Sequence, residues 1–205
     1  MHAFVPVRNG LASKLEEVER RIIARLVADT AELLGTRIDE EPGAAPADED
    51  ELLAALDFDP ADDVVTAAPT DAALARLLPP MSQDEDLAAE LRTLTEDSVR
   101  AGKVERLATV WRELSAAGES VTVREGTEGQ WLSALTDVRL VLAARLGIDD
   151  EADAERVYQR AQSRTGGQQS EDDVDDAMAT MYAALTWWQE SLLQAMTRRG
   201  RGRGR

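Results

Sequence analysis

Apolar residues recur at helical intervals along most of the chain. Leu11, Leu15, Val18, Ile22, Leu26 and Leu33 lie on one face of a 3.6-residue period, which predicts a helix over about 11–34 with Gly35 where a left-handed C-terminal cap falls. From Leu87 the stripe continues through Leu91, Leu94, Val104, Leu107, Trp111 and Leu114. Thr95, Glu96 and Asp97 read as a cap that restarts it, so two consecutive helices or one kinked helix are expected. Trp131, Leu135, Val138, Leu142 and Leu146 end at Gly147 and predict a helix over about 128–146. A short helix around 154–162 and a soft linker at 163–170 follow. Val174, Met178, Met181, Leu185, Trp188, Leu192 and Ala195 then alternate steps of four and three, the spacing of a bundle or coiled-coil seam that serves a core or a homodimer.

The segments between these stripes read differently. Residues 39–72 combine prolines with dense aspartate and glutamate, so a flexible acidic connection with one or two brief helical turns is expected. Residues 121–123 are β-prone but too few to support a sheet unaided, and an extended loop is the expectation. The resulting fold class is all-α, a multi-helix bundle forming one domain over 1–197, followed by a disordered basic tail at 198–205.

Composition removes many chemistries. The chain has 205 residues and no cysteine, and its one histidine is His2. Disulfides, Cys/His zinc sites, thiol nucleophiles and imidazole-based triads are thereby excluded. The net charge is −17, with the acidic excess concentrated in 41–97 and 149–190, which disfavours wholesale wrapping of nucleic acid or an anionic membrane. No run approaches the roughly 18 apolar residues of a membrane helix, and the start lacks a basic segment followed by an apolar run, so a cytoplasmic address and no membrane partner are expected. Asp57 and Asp59 open like a calcium loop, D-x-D, without the glycine and terminal glutamate such a loop needs. Neither phosphate-loop motif occurs, and Lys14 and Lys103, the two lysines, have no serine motif beside them. The expectation is a non-enzyme with no catalytic, cofactor or metal site.

Two groups of residues remain as candidates. In the tail, Arg198, Arg199, Arg201, Arg203 and Arg205 alternate largely with glycine. Glycine disfavours a helix by about 1 kcal/mol per site, and flexible arginines can follow a phosphate backbone. A solvated terminus, or one folded onto the acidic segments, is the more ordinary reading. The second group is Arg76, Asp137, Arg139 and Trp187. Asp137 and Arg139 interrupt an apolar helix and, with Arg76 and Arg145, suit ion pairs at the rim of a core or a grip on a partner. Trp187 points aside from the Trp188 seam, toward Tyr182, where core packing is a more ordinary reading than a partner surface.

Four strings carry a resemblance: LARLLPP at 74–80, LAAELRTLTEDSVRAGKVERL at 87–107, WLSALTDVRLVLAARLGI at 131–148 and MYAALTWWQESLLQAM at 181–196. In order and spacing they resemble an actinobacterial domain-of-unknown-function family encoded beside the Clp-protease adaptor ClpS, some members of which are named AosR-like oxidative-stress transcriptional regulators. The resemblance implies a regulator whose partners are proteins, possible partners being the transcription machinery. Where members are redox regulators it also implies a cysteine-pair sensor, which a chain without cysteine cannot operate. The function expected is therefore a non-enzymatic, transcription-associated interaction protein without a thiol switch. Nucleic-acid binding through the tail, or an adaptor role in Clp proteolysis, are the alternatives.

Overall fold

The computed structural model describes residues 1–39, 68–116, 118–162 and 171–203. Among them are strands β1 (Val5–Val7), β2 (Gly10–Lys14) and β3 (Ser120–Arg124), and helices α1 (Glu17–Leu33), α2 (Ala72–Leu77), α3 (Glu85–Ser115), α4 (Glu128–Arg145), α5 (Glu151–Gln162) and α6 (Glu171–Arg203). The protein is thus mostly helical, in rough accord with the all-α expectation, and adds a small antiparallel sheet of order β1-β2-β3.

The sheet takes in two segments whose sequence predicts a helix start and a loop. Leu11, Ser13 and Leu15 are buried while Lys14 is exposed, so residues expected to open the first helix instead alternate as a strand. Their four-residue spacing fits both periods, and the partner that decides between them is distant: Leu11 pairs with Val123 and Ser13 with Val121. The expected loop at 121–123 is accordingly the middle of β3, with Val121 and Val123 turned inward. At Gly10 a Cβ would lie 2.0 Å from the Val123 carbonyl oxygen; only glycine fits.

Thr95, Glu96 and Asp97 do not break α3, which is continuous. The Thr95 hydroxyl donates to the Leu91 carbonyl at 2.7 Å, and Glu96 turns inward between Arg92 and Arg100, one turn away on either side. Side chains that would cap a new helix are thereby satisfied within the old one. Gly35 and Gly147 do take the left-handed conformation, φ 92° and 64°, and close Schellman motifs through Thr36 N–H to Ala31 O and Ile148 N–H to Ala143 O. Within the expected acidic connection, residues 40–67 lie outside the described residues, as does the linker at 163–170.

At the C-terminal end α6 runs through Arg203. Extending an existing helix adds one hydrogen bond per residue without a new nucleus, and Arg199 is held beside Glu125 and Glu128. Upstream, the seam of α6 faces the interior of its own chain. Leu185, Trp188, Leu192 and Ala195 are fully buried in one hydrophobic core with α1, α3, α4 and the sheet.

Trp188 is the centre of that core. Its ring stacks on Phe4 with centroids 4.9 Å apart and meets Trp131 edge-on at 5.9 Å, and its indole N–H donates to the Ser13 hydroxyl at 2.9 Å. Trp188→Ala should therefore lower the unfolding free energy by about 3–5 kcal/mol, measurable as a reduced midpoint in urea.

Candidate functional site

The chain's path places a cleft at the N-terminal half of α3. Arg20 at the start of α1 donates to the carbonyls of Ala116 and Gly118, and Arg100 reaches the Leu34 carbonyl at its end. The two helices are therefore antiparallel, and α1 stops level with Arg100. Beyond that point α3 is flanked by α2 and by Pro79, Pro80 and Met81, with α4 behind. Asp71 caps α2 by accepting from the Ala73 and Leu74 amides at 2.8 and 2.9 Å and pairs with Arg145 of α4 at 2.9 Å. Arg76 pairs with Asp149 at 2.5 Å. The two prolines then end α2, since neither supplies an amide donor.

Between these elements lies a cleft of about 420 Å³. Its walls are largely apolar, from Leu77, Leu78, Val99 and Leu140, and it opens past Pro80 and Met81 into a shallower groove beside Ala75 and Ala89. Two ionic arrangements line it. Lys103 Nζ meets Asp137 Oδ1 at 2.5 Å, with Asp137 only 3% exposed. Glu96, also buried, accepts from Arg100 at 2.6 and 3.0 Å and lies 3.3 Å from Arg92. Asp137 Oδ2 has no hydrogen-bond partner among the described residues.

One acidic group here has a displaced acidity. The Leu74 amide holds the Asp71 carboxyl below its ordinary value of 3.8; burial opposes this, while Arg145 and the Ala73 amide reinforce it.

On the outer side of the same half-helix the surface changes character. Leu87 and Leu94 are 46% and 73% exposed, Met81 is 60% exposed, and Leu91 is half-buried between them. Leu87, Leu91 and Leu94 step by four and three and so form one ridge along the helix. Glu90 and Asp97, exposed beside it, enter no ion pair among the described residues.

Sequence-selected candidates divide around this site. Arg76 and Asp137 line the cleft, from α2 and α4, but they pair with Asp149 and Lys103, not with each other. Arg139 faces α6, donating to Gln189 at 2.9 Å and lying over the Tyr182 ring. Trp187 is 49% exposed, against its expected core packing, because its neighbour Trp188 takes the inward position. In the tail, Arg198 is exposed, Arg199 is tied to Glu125 at 2.5 Å, the side chains of Arg201 and Arg203 lie outside the described residues, and so does Arg205. Lys103, Glu96 and Leu94 were not selected from sequence; an acidic residue one turn from arginines on each side was the available signal for Glu96.

Chemically, the cleft offers apolar surface with carboxylates already countered by cations, an arrangement for binding. No group of three His, Cys, Asp or Glu suited to a metal occurs among the described residues, and no helix there is long and apolar enough to cross a membrane. The model of a family described as a domain of unknown function, DUF2017, matches residues 1–196. No curated protein and no solved structure matches the chain.

Asp137→Ala should destabilise the protein by about 3 kcal/mol, because it leaves the Lys103 ammonium unpaired in a low-dielectric setting. Asp137→Leu combined with Lys103→Met should recover most of that loss in urea unfolding. The Asp71 contribution has the opposite trigger, protonation: with its folded-state pKa depressed, it is complete above pH 3.8 and is lost as pH falls through the depressed value. Acid unfolding of Asp71→Asn should lack this component.

Proposed function

The chain belongs to the DUF2017 family, and we propose that it is a non-enzymatic, transcription-associated interaction protein that holds a partner protein on the N-terminal half of α3. The observation that carries this reading is a largely apolar cleft and groove reaching Met81, with Leu87 and Leu94 exposed on the same half of α3. Single exposed leucines are ordinary, whereas a ridge of them on the helix that also walls an apolar cleft is the pattern of an interaction surface. The transcription association, and with it the AosR-like, ClpS-adjacent identity, rests on the resemblance of the four sequence strings. An adaptor role in Clp proteolysis is the same reading with a different partner. Nucleic-acid binding through the tail is weaker, since Arg199 already serves Glu125 and Glu128.

The test compares the full chain with a Leu87→Asp, Leu94→Asp variant in affinity capture from host extract, with circular dichroism confirming that both are folded. A partner held by the wild-type chain should fall by about tenfold or more with the variant, the scale of losing central interface contacts. Equal recovery with both chains would remove the assignment to this surface.

A further inference from the structure

We infer that the occupant of this surface is a single amphipathic helix of a partner protein, apolar at alternating three- and four-residue spacing and carrying Lys or Arg along one edge. The inference rests on the preceding reading, that the surface binds protein, and adds what the partner must look like. Leu87, Leu91 and Leu94 fall within about 60° of one another around α3, so they make a linear ridge. A ridge of that form packs into the groove between side chains of another helix, whose own side chains recur at the same intervals. The length available is sufficient: from Glu85 to the level of Arg100, where α1 ends, α3 extends about 22 Å, room for about four turns of a neighbour.

The charge of the edge selects the partner. Glu90 and Asp97 lie about 60–80° round the helix from the ridge, both exposed and without an ion pair among the described residues. The nearby cations Arg92, Arg100 and Lys103 all turn to the other side, onto Glu96 and Asp137. The edge is therefore uncompensated negative charge beside apolar surface, and a helix with Lys or Arg opposite it gains attraction where an acidic one meets repulsion. A second copy of the chain is the poorer occupant, because it brings the same acidic edge and a net charge of −17.

The experiment uses the purified full-length chain and labelled synthetic helices of about three heptads, read by fluorescence anisotropy. One has a leucine stripe and a lysine edge. A second has the same stripe with a glutamate edge, and a third has the lysine peptide's composition with its leucines scrambled. The lysine-edged helix should bind about tenfold more tightly than either control, and its advantage over the glutamate helix should shrink with added salt. Leu94→Asp, and separately Glu90→Lys with Asp97→Lys, should each remove that preference; all three positions are exposed, so the variants fold. Equal affinity for the three helices, or a preference untouched by these substitutions, overturns the inference. A dimer seen by light scattering that Leu94→Asp abolishes also overturns it, in favour of a second copy. If capture from extract depends on Leu94 while the lysine helix has no advantage, the proposed function stands and this description of its partner falls.

Discussion

Trp188 and the groups around it set the positions of everything else. A buried indole brings a large apolar area and one N–H that must find an acceptor. Trp188 finds it in Ser13 of β2, and Trp131 finds one in Glu113 of α3 at 2.6 Å. With Phe4 stacked on Trp188 and its amide directed at the Ser191 hydroxyl, the sheet, α3, α4 and α6 share one aromatic cluster bound by directional contacts. Apolar burial alone tolerates sliding of one helix along another. Two indole hydrogen bonds do not.

The alignment of α4 along α3 that follows has consequences at its other end. With Trp131 opposite Glu113, the antiparallel α4 brings Asp137 to Lys103 and Leu140 to the wall of the cleft. A buried ion pair of this kind contributes little net stability, since desolvation offsets most of its attraction. What it does is penalise any register in which the two charges miss each other. The Glu96 cluster behaves similarly, drawing Arg92 and Arg100 inward and leaving the outer edge of α3 with carboxylates alone.

The helical stripes were legible because their apolar residues are buried by neighbours close in the heptad sense: α4 ends within a residue of its expected limit, and α6 contains the whole expected seam. The sheet was not legible, because β2 is specified by pairing with residues more than a hundred positions away and its own pattern satisfies either period. Six-residue α2 is too short to show a period at all, and its existence depends on the Asp71 cap and the prolines after it. Of the candidate site, Arg76 and Asp137 were visible as charges interrupting apolar segments. Their actual partners, Asp149 and Lys103, were not, since pairing depends on how separate helices are aligned. In sequence Leu87, Leu91 and Leu94 continue one stripe with Leu107 and Leu114. Only the fold separates them into an outer ridge and an inner core.

That separation is informative about α3 itself. A helix packed on one side needs one apolar face, yet α3 buries Leu107, Val110 and Leu114 inward and presents Leu87 and Leu94 outward. Leaving these two leucines in water forgoes roughly 25 cal/mol for each Å² that a partner would cover, and nothing in the internal packing of α3 requires them. The acidic surplus supplies the complementary half of the argument. Self-repulsion among copies charged at −17 opposes association between them through an exposed apolar ridge, while the same field favours approach of a basic surface. Apolar ridge and negative edge together favour a heterotypic contact, in which the ridge supplies the buried area and the edge supplies the discrimination.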